Sequence, residues 1–252
     1  MYFDTHAHYD DARFDADRDE VLSSMKAGGV DLIVDPASDI ASAKKARDIA
    51  EKYDFVYFAA GVHPENADEA PEDFLDAVRA LAAHPKCAAI GEIGLDYHYG
   101  AENKARQQEI LRLQLDLARE LKMPVIIHER DATRDWLDIL KDYRGLTGVC
   151  HCFSGSWETA KTILDAGWYI SFTGVVTFKN ARRAVEVVSK MPLDRLMLET
   201  DSPYMAPEPH RGERCSSLLL PFIGRRVAEI RGVSEEEIAR TTLENGRRFY
   251  GI

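Results

Sequence analysis

The sequence predicts a (β/α)8 TIM barrel, and three observations predict it. Eight short apolar runs alternate with longer amphipathic ones along 252 residues. The short runs have the length and apolar content of buried parallel strands, and the longer ones carry apolar residues at helical spacing. Histidines and carboxylates recur near the C-terminal ends of the short runs, the end at which barrels assemble their sites.

The elements follow in order. "MYFDTHAH" (1–8) is the first strand, and "RDEVLSSMKAGG" (18–29) the first helix. Strand-like runs at 30–37, 55–64 and 87–97 precede helical segments at 40–53, 71–84 and 103–122. In the last of these, Ile110, Leu111, Leu113, Leu115, Leu117, Ala118 and Leu121 form an apolar stripe. "PVIIHER" (124–130), "LTGVCHCFSG" (146–155) and "WYISFTGVV" (168–176) lead into helices at 131–141, 156–166 and 180–190. "RLMLETDSP" (195–203) is the eighth strand, and two helices at 215–231 and 234–249 pack outside the barrel. Gly28-Gly29 and Gly167 close helices, Pro71 lies near a helix start, and Pro124 separates a helix from a strand. No linker or composition break divides the chain, so 1–252 reads as one domain. A doubly wound open sheet is the alternative.

At 45% hydrophobic and 30% charged, the chain can bury a large core and is not disordered. No apolar run reaches membrane-spanning length and the first residues lack a signal pattern, so the expected location is cytoplasmic. Four cysteines at irregular spacing do not make a disulfide framework. The net charge of −11 is uneven, with −12 over 1–202 and +1 over 203–252. That balance works against broad binding to nucleic acid or to an anionic membrane. An anionic substrate needs local help, from metal ions or from the C-terminal segment.

The strand ends supply such help. His6 and His8, two of eight histidines, share one face of an extended strand. Later strand ends add His63, Glu92, His128, His151 and Asp201. A barrel gathers these ends on one rim. Six ligands, His6, His8, Glu92, His128, His151 and Asp201, are too many for one ion and suit two ions sharing a carboxylate. Glu92 is the expected bridge. His6, His8 and Asp201 complete one site, and His128 and His151 the other. Asp201 is placed to orient an acidified water and take its proton, so the reaction class is metal-assisted hydrolysis. "CHC" at 150–152 is not read as a metal motif. With His151 pointing inward, the period of two should send Cys150 and Cys152 outward under the helices.

The stretches "FDTHAH", "GVHPE", "GEIGLDY", "VIIHERDA", "HCFSGS", "ETDSPY", "APEPHRG" and "NGRRFYGI" together resemble the TatD family of metal-dependent hydrolases over essentially the whole chain. The family's metal ligands map onto His6, His8, Glu92, His128, His151 and Asp201, with none missing. The resemblance implies a metal-dependent DNase or phosphodiesterase, with 3′→5′ exonuclease activity in some members, and Mg2+ as cofactor. Imidazole-rich ligation also accepts Mn2+ or Zn2+. Members often carry Asn-Glu-Pro shortly after "HRG", where this chain has Cys215-Ser216-Ser217, a change on the substrate side.

Arg130 and Arg211 are candidates to hold a phosphate bidentately, and His63 to hydrogen-bond substrate. Asp96 and Tyr97 are expected to shape the loop beside Glu92, and Asp10-Asp11 to be a solvated turn or helix cap. Two other functions compete. Many binuclear hydrolases of C–N or ester bonds bridge their metals with a modified lysine from strand 4, where this chain has only Lys86 at the strand start. A non-catalytic nucleic-acid binder gains nothing from an open two-metal site, and −11 disfavours it. The expected partner is DNA, as a single strand or frayed end, or a small phosphodiester, with the protein a monomer.

Overall fold

The computed structural model describes residues 1–100 and 102–252. Eight strands, β1 (Tyr2–Asp4), β2 (Val30–Pro36), β3 (Val56–Ala60), β4 (Cys87–Asp96), β5 (Val125–Arg130), β6 (Gly148–Cys150), β7 (Tyr169–Phe172) and β8 (Leu196–Leu198), pair in parallel in chain order. The ring closes beyond the ends of β8 and β1. Thr5 N–H donates to Leu198 O (3.2 Å), Asp201 N–H to His6 O (2.9 Å) and His8 N–H to Ser202 O (2.7 Å). The closing segment therefore carries His6, His8 and Asp201.

Helices α1 (Arg18–Ser24), α2 (Ile40–Lys52), α3 (Phe74–Ala82), α4 (Lys104–Leu121), α5 (Thr133–Leu140), α6 (Trp157–Asp165) and α7 (Arg182–Lys190) fill the connections between strands. Several are set by caps. Asp39 and Ser42 form a reciprocal capping box at α2, and Ser156 accepts from Thr159 N–H at α6. Two helices start later than the apolar pattern predicts. Residues 71–73 form a turn before α3, and a 3-10 turn at Ser217–Leu219 precedes α8 (Leu220–Arg231), with Pro221 in its first turn.

Alternation along the strands divides the core in two. Phe3, Val34, Ala59, Ala89, Ile126, Val149, Tyr169 and Met197, one from each strand, form a separate buried cluster, the barrel interior. The opposite strand faces pack on the helices in the larger cluster, where Trp136 and Trp168 meet at 5.3 Å. A Cβ at Gly148 would fall 2.2 Å from the Trp168 ring, so only glycine fits there. Each fully buried side chain of Phe or Met size contributes about 1.5–3 kcal/mol over leaving it exposed.

The last helix corrects one expectation. α9 (Glu235–Tyr250) does not simply lie outside the barrel, because Phe249 and Tyr250 join the interior cluster. The Tyr250 hydroxyl donates to Thr5 O (2.8 Å). No helix among the described residues is long and apolar enough to cross a membrane.

Candidate metal centre

The interior face continues upward into the site. His128 lies two residues beyond Ile126, His151 two beyond Val149, and Glu199 two beyond Met197. The period of two points His128 toward the barrel axis, and His151 and Glu199, each one residue past the end of its strand, still face the same centre. β4 and β5 approach closely enough that a Cβ at Gly94 would lie 1.9 Å from His128 O. That contact draws Glu92 and His128 together.

Glu92 is 3% exposed, and its two oxygens face different partners. Oε2 lies 3.3 Å from His6 Nε2 and 3.6 Å from His8 Nε2. Oε1 lies 2.7 Å from His151 Nε2 and 2.9 Å from His128 Nδ1. Asp201 Oδ1 joins the first group, 3.5 Å from His8 Nε2 and 3.7 Å from His6 Nε2. The His6 and His151 rings stack at 4.0 Å and link the two groups.

This donor set fits divalent ions. His6 Nε2 and His8 Nε2 stand 3.1 Å apart, and His128 Nδ1 and His151 Nε2 stand 3.2 Å apart. Two nitrogens bound to one tetrahedral ion at ~2.0–2.1 Å are about 3.3 Å apart. Neighbouring groups aim the rings. His8 Nδ1 meets Pro36 O at 3.1 Å, leaving Nε2 for the centre. His128 Nε2 meets Asp96 Oδ2 at 2.9 Å, leaving Nδ1. His151 Nδ1 lies 3.5 Å from Glu199 Oε1, a charge contact too long for a good hydrogen bond. Carboxylates behind ligating histidines fix the ring and raise its basicity.

The electrostatics follow the geometry. Burial opposes charging of His8, but Asp201 and Glu92 overcome it and lift its pKa to about 10. His128 and His151 are also raised against their burial, by Asp96 and Glu92 for the first and by Glu92 and Glu199 for the second. Burial pushes Glu92 toward the neutral acid, yet the surrounding imidazoles hold it well below the ordinary range. His63 differs. Burial lowers its pKa to about 3, so it is neutral. Its Nδ1 accepts from Glu65 N–H (3.2 Å), which puts the ring proton on Nε2, 3.5 Å from Glu92 Oε1.

The six ligand candidates and His63 thus come together. Arg130 and Arg211 are exposed at the rim, each against an aromatic ring, Tyr99 at 5.2 Å and Phe178 at 4.4 Å. Three expectations need correction. Cys150 is outward and buried, but Cys152 is not under the helices. β6 ends at Cys150, Cys152 takes a left-handed φ of 45°, and its Sγ lies 3.6 Å from Thr173 Oγ1. Once the strand has ended, alternation no longer governs direction. Asp11 caps a 3-10 turn as expected, but Asp10 is not a solvated residue. It is half-buried beside His8 and the fully buried Asp35, whose oxygens have no hydrogen-bond partner among the described residues. Asp96 reaches past its own loop to His128. Glu199 was not anticipated at all. Its signal was its place, one residue past the end of β8 and two before Asp201 in "LETD".

A parallel eight-stranded barrel with an imidazole–carboxylate double cluster at the C-terminal ends of its strands defines a metal-dependent hydrolase. The family model described as TatD related DNase matches residues 3–251, and the chain belongs to that family. It is 42% identical to a Bacillus subtilis protein named as the uncharacterised metal-dependent hydrolase YabD, over 100% of both chains. It is 35% identical to the protein named 3′-5′ ssDNA/RNA exonuclease TatD of Cronobacter sakazakii, covering 98% of this chain and 97% of that one. The crystal structure of YJJV, a TatD homologue from Escherichia coli, superposes with a TM-score of 0.94 at 30% identity, covering 100% of this chain and 98% of that one.

Proposed function

We propose that this metal-dependent hydrolase is a phosphodiesterase acting as a 3′→5′ exonuclease on single-stranded or frayed DNA ends, with two divalent ions (Mg2+, Mn2+ or Zn2+). The division of the Glu92 carboxylate between two imidazole pairs carries the reading. His6, His8, Asp201 and Glu92 Oε2 would hold one ion, and His128, His151 and Glu92 Oε1 the other. When bound, the ions supply Lewis-acid polarisation of the phosphodiester and a water acidic enough to attack at neutral pH.

The chain's own groups do the rest. Burial opposes ionisation of Asp201, but His8, His6 and His151 hold its pKa below the usual carboxylate range. Asp201 is therefore a carboxylate that orients the attacking water and takes one of its protons. As the water oxygen joins phosphorus, the bond to the leaving sugar oxygen breaks, and that oxygen takes a proton from Asp201 or solvent. His63, with its proton on Nε2, donates to a phosphate oxygen. Arg130 and Arg211, exposed at the rim, hold phosphates of the incoming strand. The name of the 35%-identical exonuclease supports nucleic acid over a C–N or lactone substrate.

The test is a metal-resolved assay against single-stranded DNA, duplex DNA, RNA and an aryl phosphodiester. Cleavage should be fastest at free single-stranded ends. With two or three phosphate contacts, log affinity against log salt should have a slope of about −1.5 to −2. A slope steeper than about −5, faster cutting inside closed circular duplex, or hydrolysis of lactones or amides but no phosphodiester would overturn the reading.

A further inference from the structure

Among the described residues, five large apolar side chains are strongly exposed: Met1, Tyr99, Leu113, Tyr204 and Met205. Three of them crowd the barrel mouth. Tyr99 (77% exposed) is in the loop after β4, and Tyr204 (44%) and Met205 (41%) are in the loop after β8. With strands in chain order and β8 bonded back to the β1 segment, β4 and β8 stand opposite each other across the mouth. The metal centre lies between the two loops.

Each tyrosine ring is backed by an arginine. The Arg13 guanidinium sits 4.0 Å over Tyr204, and that of Arg130 sits 5.2 Å over Tyr99. Asp11 locks the first unit, accepting from Arg13 Nε (3.3 Å) and from the Tyr204 hydroxyl (3.3 Å). His98 packs edge-on to Tyr99 at 4.9 Å. Both units are tied to the centre. Tyr204 N–H donates to Asp201 O (2.9 Å), and Tyr99 lies three residues beyond Asp96, the partner of His128. An exposed ring backed by a guanidinium is a surface on which an unpaired base stacks without regard to sequence. Bases inside a duplex already spend their faces on each other.

We propose that Tyr204 with Arg13, and Tyr99 with Arg130, are two base-stacking platforms that take unpaired nucleobases on either side of the phosphate held over Glu92. The proposal rests on the phosphodiesterase reading and gives it a source of single-strand preference. Because the rings are pre-ordered, little side-chain freedom is lost on binding.

The readout is a ratio, kcat/KM for a short single-stranded oligonucleotide over kcat/KM for an aryl phosphodiester lacking a nucleobase. It is measured with metal for wild type, Tyr99→Ala, Tyr204→Ala, the double variant, and Tyr99→Phe and Tyr204→Phe. The ratio should fall about 10-fold for each alanine and about 100-fold for the double, near 1.4 kcal/mol per ring, within the range for base–aromatic stacking. The phenylalanine variants should stay within about two-fold, since the ring rather than the hydroxyl is the platform. An oligonucleotide with abasic terminal positions should lose the same factor in wild type and nothing further in the double variant. An unchanged ratio overturns the platforms, as does an equal loss in the phenylalanine variants. Wild type that cleaves the aryl diester but not the oligonucleotide overturns the platforms and leaves the phosphodiesterase reading standing. Wild type that cleaves neither overturns both. Circular dichroism confirms that the variants, altered only at exposed rings, remain folded.

Discussion

On the β1 side of Glu92, only the His8 imidazole is aimed by a hydrogen bond to backbone, with the Asp10 carboxylate 3.9 Å from the same nitrogen. His8 leans on the Pro36 carbonyl, and His6 Nδ1 has no partner among the described residues. On the β5–β6 side, His128 and His151 are backed by the carboxylates of Asp96 and Glu199. The β1 side compensates with a second carboxylate, Asp201, facing the centre itself. In the proposed centre the β1 side offers four donors and the other side three. The better-supplied side should fill first, and the other should keep a position open for substrate. The comparison teaches that the β1 side adds a second carboxylate that faces the centre, while the two extra carboxylates of the β5–β6 side stand behind its rings.

Glu92 belongs to both sides, and its removal should be the largest blow. Glu92→Gln should cut turnover by at least about 10³-fold, because several kcal/mol of transition-state stabilisation depend on both ions. Elemental analysis should show metal lost from both sides. Near-normal metal content would mean that Glu92 does not join them.

Asp201→Asn comes next, with an expected fall in turnover of roughly 10²–10⁴ as the proton acceptor is lost. In a metal titration it should weaken the first binding step and spare the second. Normal turnover at normal metal content would remove Asp201 from the proton transfer.

Asp96→Asn should act on the other side alone, since Asp96 meets only His128 of the candidate ligands. A loss of about 10–100-fold in affinity for the second ion is expected, with the first step unmoved. If the first step shifts instead, the two sides are not separable in the way the Glu92 oxygens imply.

The smallest signal is protons. His8 is raised to about 10 when metal-free, and His128 and His151 are raised as well. A raised imidazole contributes stability that is fully present below its unfolded value of about 6.5 and is lost as pH rises through about 10 for His8. Metal needs these rings neutral, so binding at pH 7 should release protons. Apparent affinity should climb with pH and level off past about 10. An indicator-dye titration that detects no release would show the rings already neutral.

The sequence by itself determined the barrel and grouped five residues, His6, His8, His128, His151 and Asp201, with Glu92. Strand and helix periods are local, and the C-terminal ends of parallel strands must share one rim, so His6, His128 and Asp201 could be grouped without coordinates. It also gave Asp11 as a cap, because that bond spans only two residues. Tertiary structure alone decided what lies behind and beside those residues. Asp96 reaches His128 across 32 positions, Ser171 reaches Glu199 across 28, and Tyr204 finds Asp11 across 193. Cys152 escaped the period of two because β6 stops one residue before His151. Periodicity fixes direction only while the strand lasts. Beyond the strand ends, loop path and close packing choose each side chain's partner.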